Sequence, residues 1–153
     1  MATDTILAAH LNGTVVPLAE VDDPVFSSEM LGKGVAIEPS EGKLFAPADA
    51  TVQMVMDTKH AIGLASDDGV EILLHIGIDT VNLKGENFET HVQAEQKVKK
   101  GDLLISFDID GIKAAGYKCT TPMIISNTAD YADVCAVASG DINAGADLLS
   151  LKA

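Results

Sequence analysis

Short apolar runs, separated by glycine, proline, aspartate and asparagine, recur from one end of the chain to the other. Their length and spacing predict strands rather than helices. Segments 6–9, 14–18, 34–37, 43–46, 51–56, 61–65, 70–76, 103–107, 122–126, 134–138 and 148–151 all read this way. Helical periodicity is scarce: 23–30 predicts one short helical turn with Pro24 at its first position, and 108–115 another with Asp108 as its cap. Many short strands at close spacing predict an all-β fold, an antiparallel β-sandwich or barrel-like sheet with short helical turns. Two internal echoes suggest a duplicated β-unit. KVKKGDLLISF (97–107) is similar to DINAGADLLSL (141–151), and NGTVVPL (12–18) more faintly to DATVQMV (49–55). With no linker or low-complexity tract, residues 1–153 read as a single domain.

The most informative stretch is HAIGLASDDGVEILLHIGIDTVNLKG (60–85), in which two apolar runs flank Ser-Asp-Asp-Gly, a hairpin signal. With the loop centred between Asp67 and Asp68, His60 faces His75; with an Asp68-Gly69 turn, His75 faces Ile62. Both registers leave the two histidines on one face, about 5 Å apart at Cβ, whereas a three-residue loop would put them on opposite faces. Ile62, Leu64 and Leu73 would ring the pair. The Gly77 carbonyl, two residues beyond His75, would accept the Nδ1 proton and leave Nε2 as a free nucleophile. Thr58, two residues before His60, would bond its Nδ1. Asp79 and Thr80 continue into a turn, for which an Asx bond from Asp79 is a sufficient structural reason. His10 and His91 have no partner near them in sequence and read as structural or solvated, as do the turn lysines Lys97, Lys99 and Lys100.

Composition narrows the chemistry. Apolar residues make up 47% of the chain and charged ones 22%, which is globular. No run is long enough to span a membrane and no signal peptide is evident, so a cytoplasmic protein without direct membrane insertion is expected. The net charge is −13, and all ten basic residues are lysine. Nucleic acid is thereby an improbable partner, and no guanidinium fork is available to grip a phosphoryl group. Any such group must be held by imidazole, hydroxyl, lysine or backbone N–H. Cys119 and Cys135 form no CxxC pair and read as two small buried thiols. From residues alone, two alternatives stay open: a zinc-dependent hydrolase with His60, His75 and Asp79 as ligands, and a non-catalytic interaction module.

The segments GKGVAIEPSEGKLFAPADATV, TKHAIGLASDDGVEILLHIGIDTVNLKGENF, KVKKGDLLISFD and TPMIISN resemble the enzyme IIA domain of the glucose family of the bacterial phosphoenolpyruvate:sugar phosphotransferase system. The similarity runs from about Ile6 to Leu151 and is most specific at LLHIGIDTVNLKG with its upstream TKHA. It implies an antiparallel β-sandwich and a phosphocarrier function that needs no cofactor. His75 would take a phosphoryl group on Nε2 from the phosphocarrier protein HPr and pass it to a cysteine of a IIB domain. His60 would hydrogen-bond that group and Thr58 would orient His60. The carbonyl of Gly77 would orient His75, and backbone N–H groups around Asp79 and Val81 would help hold the phosphate. Lys33 stands where some members carry an acidic residue near the site.

Overall fold

The computed structural model describes residues 4–152. In chain order its strands are β1 (Thr5–Ala8), β2 (Gly13–Pro17), β3 (Lys33–Pro39), β4 (Lys43–Phe45), β5 (Ala50–Val55), β6 (Ala61–Ser66) and β7 (Glu71–His75). There follow β8 (Phe88–Thr90), β9 (Lys97–Val98), β10 (Leu103–Phe107), β11 (Thr121–Ile125), β12 (Asp133–Ala136), β13 (Asp141–Ile142) and β14 (Asp147–Lys152). Every apolar run read as a strand is one, to within a residue or two at its ends. The additional strands β8, β9 and β13 are two or three residues long, too short to carry a period-two signal.

An eight-stranded antiparallel sheet, ordered β13-β2-β3-β11-β7-β6-β5-β9, faces two three-stranded sheets, β1-β14-β12 and β4-β10-β8. The layers meet over one continuous core that includes Leu7, Ile37, Leu44, Ile62, Leu64, Leu74, Leu104 and Leu149, all fully buried. Each such side chain contributes about 1.5–3 kcal/mol relative to exposure. Along β7 the alternation is regular: Ile72 and Leu74 point into this core, while Glu71, Leu73 and His75 point away.

The outward face of the large sheet has a smaller apolar cluster of its own. Leu18, Val21 and Phe26 pack there against Ala36, Ile78 and Ile124. They come from the segment after β2, where a 3₁₀ turn (Leu18–Glu20) leads to the helix α1 (Pro24–Ser27). Asp23 caps α1 by accepting from the Val25 N–H, and Pro24 occupies the first turn, where its missing N–H costs nothing. Asp108 likewise caps α2 (Ile109–Ala114) through the Gly111 N–H.

The sequence echoes correspond to equivalent positions in a duplicated architecture. The series β1, β2, β3, β11, β12, β13, β14 has the same pairings as β4, β5, β6, β7, β8, β9, β10, strand for strand. The edge strand β13 pairs with β2 where β9 pairs with β5. Gly101 and Gly145, in the echoed turns, have φ of 92° and 93° and donate to Ala46 and Ala9.

Two readings need correction. Cys119 is buried, but Cys135 is exposed, because β12 is an edge strand whose alternation turns Val134 inward and Cys135 out. Ile62 and Leu64 belong to the core between the layers and do not ring the histidines.

His10 is fully buried, with Nε2 2.9 Å from the Thr121 carbonyl and Nδ1 without a hydrogen-bond partner. Burial lowers its pKa from 6.5 to about 4, and the Thr121 bond offsets this only in part. Its neutral form therefore supports folding fully above pH 6.5, and that support is lost as pH falls towards about 4, by roughly 3 kcal/mol in all. Chemical denaturation at pH 7.5 and 4.5 should show a smaller acid loss in His10→Gln than in the unsubstituted protein. Equal losses would mean that His10 does not carry the effect.

Candidate functional site

The β6–β7 hairpin has the register that neither two-residue reading allowed. Ala61 lies opposite His75, Ile62 opposite Leu74 and Ala65 opposite Glu71. Ser66 donates its N–H to Val70, closing a three-residue loop of Asp67, Asp68 and Gly69, with Gly69 at φ 90°. By simple alternation His60 would then face away from His75. It does not, because His60 precedes the first residue of β6 and follows Lys59, which lies in the left-handed region at φ 62°. The His60 carbonyl still accepts from the Ile76 N–H at 2.7 Å, but the side-chain alternation breaks there, and its ring meets that of His75 edge-on, with centroids 4.7 Å apart at 83°.

The position of His75 has an identifiable local cause. The ladder between β7 and β11 runs from Ile72 to Leu74 against Ile125 to Met123 and stops at Pro122, which has no N–H to offer. Beyond it Gly77 turns at φ 80°, with its N–H bonded to Thr120. The Gly77 carbonyl is thereby brought to 2.8 Å from Nδ1 of His75. Nδ1–H donating to that carbonyl leaves the Nε2 lone pair free. The ring of Phe26 packs against that of His75, with centroids 5.0 Å apart at 58°.

His60 is held by Thr58, with Oγ1 2.6 Å from Nδ1. In the tautomer where Thr58 donates, Nε2 of His60 carries the proton and can donate to an incoming oxygen. Burial, then the neighbouring His75, lowers the His60 pKa from 6.5 to about 4. His75 is also lowered, chiefly by burial; its bond to Gly77 and the charges of Asp23 and Asp79 pull the other way. Near pH 7 both imidazoles are neutral, the form in which a ring nitrogen keeps a lone pair.

Asp79 is exposed at φ 60° before the 3₁₀ turn Thr80–Leu83, and its side chain makes no capping bond. The Asx explanation therefore gives way to backbone turn chemistry, Asn82 N–H to the Asp79 carbonyl at 3.1 Å. Val81 is exposed on the same turn. Thr80, buried, anchors the turn by donating to the Ile76 carbonyl. Lys33 lies across β11 at the level of Ile72 rather than of His75. Phe26 and Asp23 escaped sequence reasoning: their helix was legible, but the sheet it covers was not. Among the described residues no three His, Cys, Asp or Glu side chains converge to hold a metal, so the zinc alternative finds no ligand set.

The family model described as phosphoenolpyruvate-dependent sugar phosphotransferase system, EIIA 1, matches residues 5–131. The chain belongs to this EIIA family. As an EIIA chain it is a phosphotransferase component with a phosphocarrier role in sugar uptake, and the hydrolase and interaction-module alternatives find no support. It is 49% identical over 148 residues to a PTS system beta-glucoside-specific EIIBCA component of Dickeya chrysanthemi, covering 97% of this chain and 24% of that protein. A component with the same description in Halalkalibacterium halodurans is 48% identical over 145 residues, covering 95% and 23%. The chain thus spans about a quarter of the length of these relatives. Among solved structures, glucose permease IIA from Mycoplasma capricolum superposes with a TM-score of 0.87 at 34% identity, covering 97% of this EIIA chain and 96% of the other. The antiparallel β-sandwich anticipated from the strand pattern is the fold these EIIA chains share. No helix among the described residues is long and apolar enough to cross a membrane.

Gly77→Ala tests how the EIIA site is held. A Cβ there would lie 2.5 Å from Thr80 Cγ2 and 2.6 Å from the Lys118 carbonyl, on a backbone at φ 80°. The substitution should cost roughly 2–4 kcal/mol in denaturant unfolding. Nitrogen chemical shifts should show His75 losing its fixed Nδ1–H tautomer. An unchanged tautomer in the folded variant would show that the Gly77 carbonyl does not set it.

Proposed function

We propose that the chain works as one IIA phosphocarrier domain in which His75 is the covalent site. Nε2 of His75 attacks the phosphorus of the phosphohistidine on HPr. The new N–P bond forms as the donor's N–P bond breaks, and the pair of electrons leaves with the donor imidazole. A cysteine thiolate of a IIB domain then takes the phosphoryl group from His75. The supporting observation is the pairing of two neutral imidazoles, one with Nδ1 committed to the Gly77 carbonyl and the other with Nδ1 committed to Thr58.

Phosphoryl transfer through a loose transition state asks for in-line positioning and charge stabilisation rather than covalent help. His60 donates from Nε2 to a phosphoryl oxygen, and Thr58 keeps that donor aimed. Backbone N–H groups around Asp79 and Val81 hold the remaining oxygens. With ten lysines and no arginine in the chain, the grip has no bidentate fork, which suits a group that must leave again. The donor and the acceptor meet His75 on the cytoplasmic side of the membrane. The permease relatives carry beta-glucoside-specific in their names, and a beta-glucoside permease is the sugar system proposed here.

Incubation with phosphoenolpyruvate, enzyme I and HPr, followed by intact mass, should show one acid-labile phosphoryl group. His75→Ala should gain none. His60→Ala should still accept the group but pass it to a IIB domain at least about a hundredfold more slowly, the scale of losing a transition-state hydrogen-bond donor. Thr58→Val should lie between. Phosphorylation of a folded His75→Ala protein would overturn the assignment.

A further inference from the structure

We infer that Met54 and Met56 are oxidation sites through which peroxide blocks this face of the protein, an inference that rests on His75 receiving its phosphoryl group there. The large sheet places both methionines beside the histidine. Opposite His75 on β6 lies Ala61, and the Met56 N–H donates to the Ala61 carbonyl at 3.0 Å. One step along, Leu73 lies opposite Gly63, and Gly63 opposite Met54. His75 and Leu73 thus form one wall of a shallow trough, Ala61 and Gly63 its floor, and Met56 and Met54 the facing wall. A β-bulge between Val52 and Met54 is responsible. Without it Met54 and Met56 would share the inward face with Val52; the extra residue turns both outward.

Met54 and Met56 are 40% and 37% exposed as residues, whereas Met123, on β11, is fully buried. The floor residues have no bulk with which to shield them: even a Cβ on Gly63 would be 3.3 Å from Met54 Cγ. A peroxide gives one oxygen atom to the sulfur lone pair. The S–O bond forms, the O–O bond breaks, the thioether is oxidised and the peroxide is reduced to water. The product is a strongly polar sulfoxide on a wall that an incoming protein must desolvate. The change leaves the His75–Gly77 and His60–Thr58 bonds in place, so it acts on docking rather than on the nucleophile, and methionine sulfoxide reductases reverse it.

The test uses Cys135→Ser protein, since that exposed thiol on another sheet would also react. After hydrogen peroxide treatment, peptide mapping should find oxygen at Met54 and Met56 well before Met123. The rate of phosphoryl acceptance from phospho-HPr should fall at least about tenfold, as expected when an interface wall turns polar. MsrA and MsrB should restore it. A Met54→Leu/Met56→Leu protein, compared with its own untreated rate, should lose nothing on peroxide treatment, whereas Met30→Leu, which removes the still more exposed methionine (75%) that follows α1, should stay as sensitive as its parent. An undiminished rate in protein mapped as oxidised at Met54 and Met56 would overturn this inference alone. So would a loss that persists in the doubly substituted protein, or one abolished by Met30→Leu. If untreated protein accepts no phosphoryl group on His75, the proposed function and this inference fall together.

Discussion

The hydrogen bond from Nδ1 of His75 to the Gly77 carbonyl is the constraint on which the site depends. A neutral imidazole has two tautomers, and only one leaves the outer nitrogen with a lone pair. The bond selects that tautomer and the ring orientation together. It exists because the chain breaks from regular pairing at the right place. Pro122 ends the β7–β11 ladder beside His75, and Gly77 takes a backbone conformation that side chains rarely adopt. The small residue and the missing N–H, each unfavourable inside a strand, bring a carbonyl to where strand geometry alone would not.

Burial supplies the second half of the chemistry. Both imidazoles are half-buried or deeper, which disfavours their charged forms and keeps them neutral near pH 7. Part of the cover over His75 comes from a segment remote in sequence. Phe26 reaches His75 because Asp23 caps its short helix and Leu18 and Val21 seat the segment on the sheet. The acidic residues near the ring, Asp23 and Asp79, counteract the effect of burial on His75 without abolishing it.

Much of the fold was legible because a sandwich of short strands leaves a repeated apolar signal at each strand. The histidine pair was legible too, but by an argument whose premise failed. Ser-Asp-Asp-Gly accommodates two- and three-residue loops, and one residue of slip reverses which face every later side chain occupies. The three-residue loop did form, and the rings meet because the alternation breaks at His60, directly after left-handed Lys59. Local sequence carries no mark of that. The same holds for Met54 and Met56, whose outward direction comes from a bulge visible only in the pairing of β5 with β6. By contrast, the bonds of Thr58 and Gly77 to the histidines span two residues each, and such short-range geometry can be read from spacing.

The doubled architecture has a further consequence. Where the half built from β4 to β10 places His75 opposite Ala61, the other half places Ile124 opposite Gly34. Ile124 is fully buried and belongs to the apolar cluster with Ala36, Leu18 and Phe26. One half bears the paired imidazoles, while its counterpart has become the dry bank against which the covering segment lies. The frame is thus even-handed and its use is not: the half without the histidine pair serves as a rain-shadow for the half that has it.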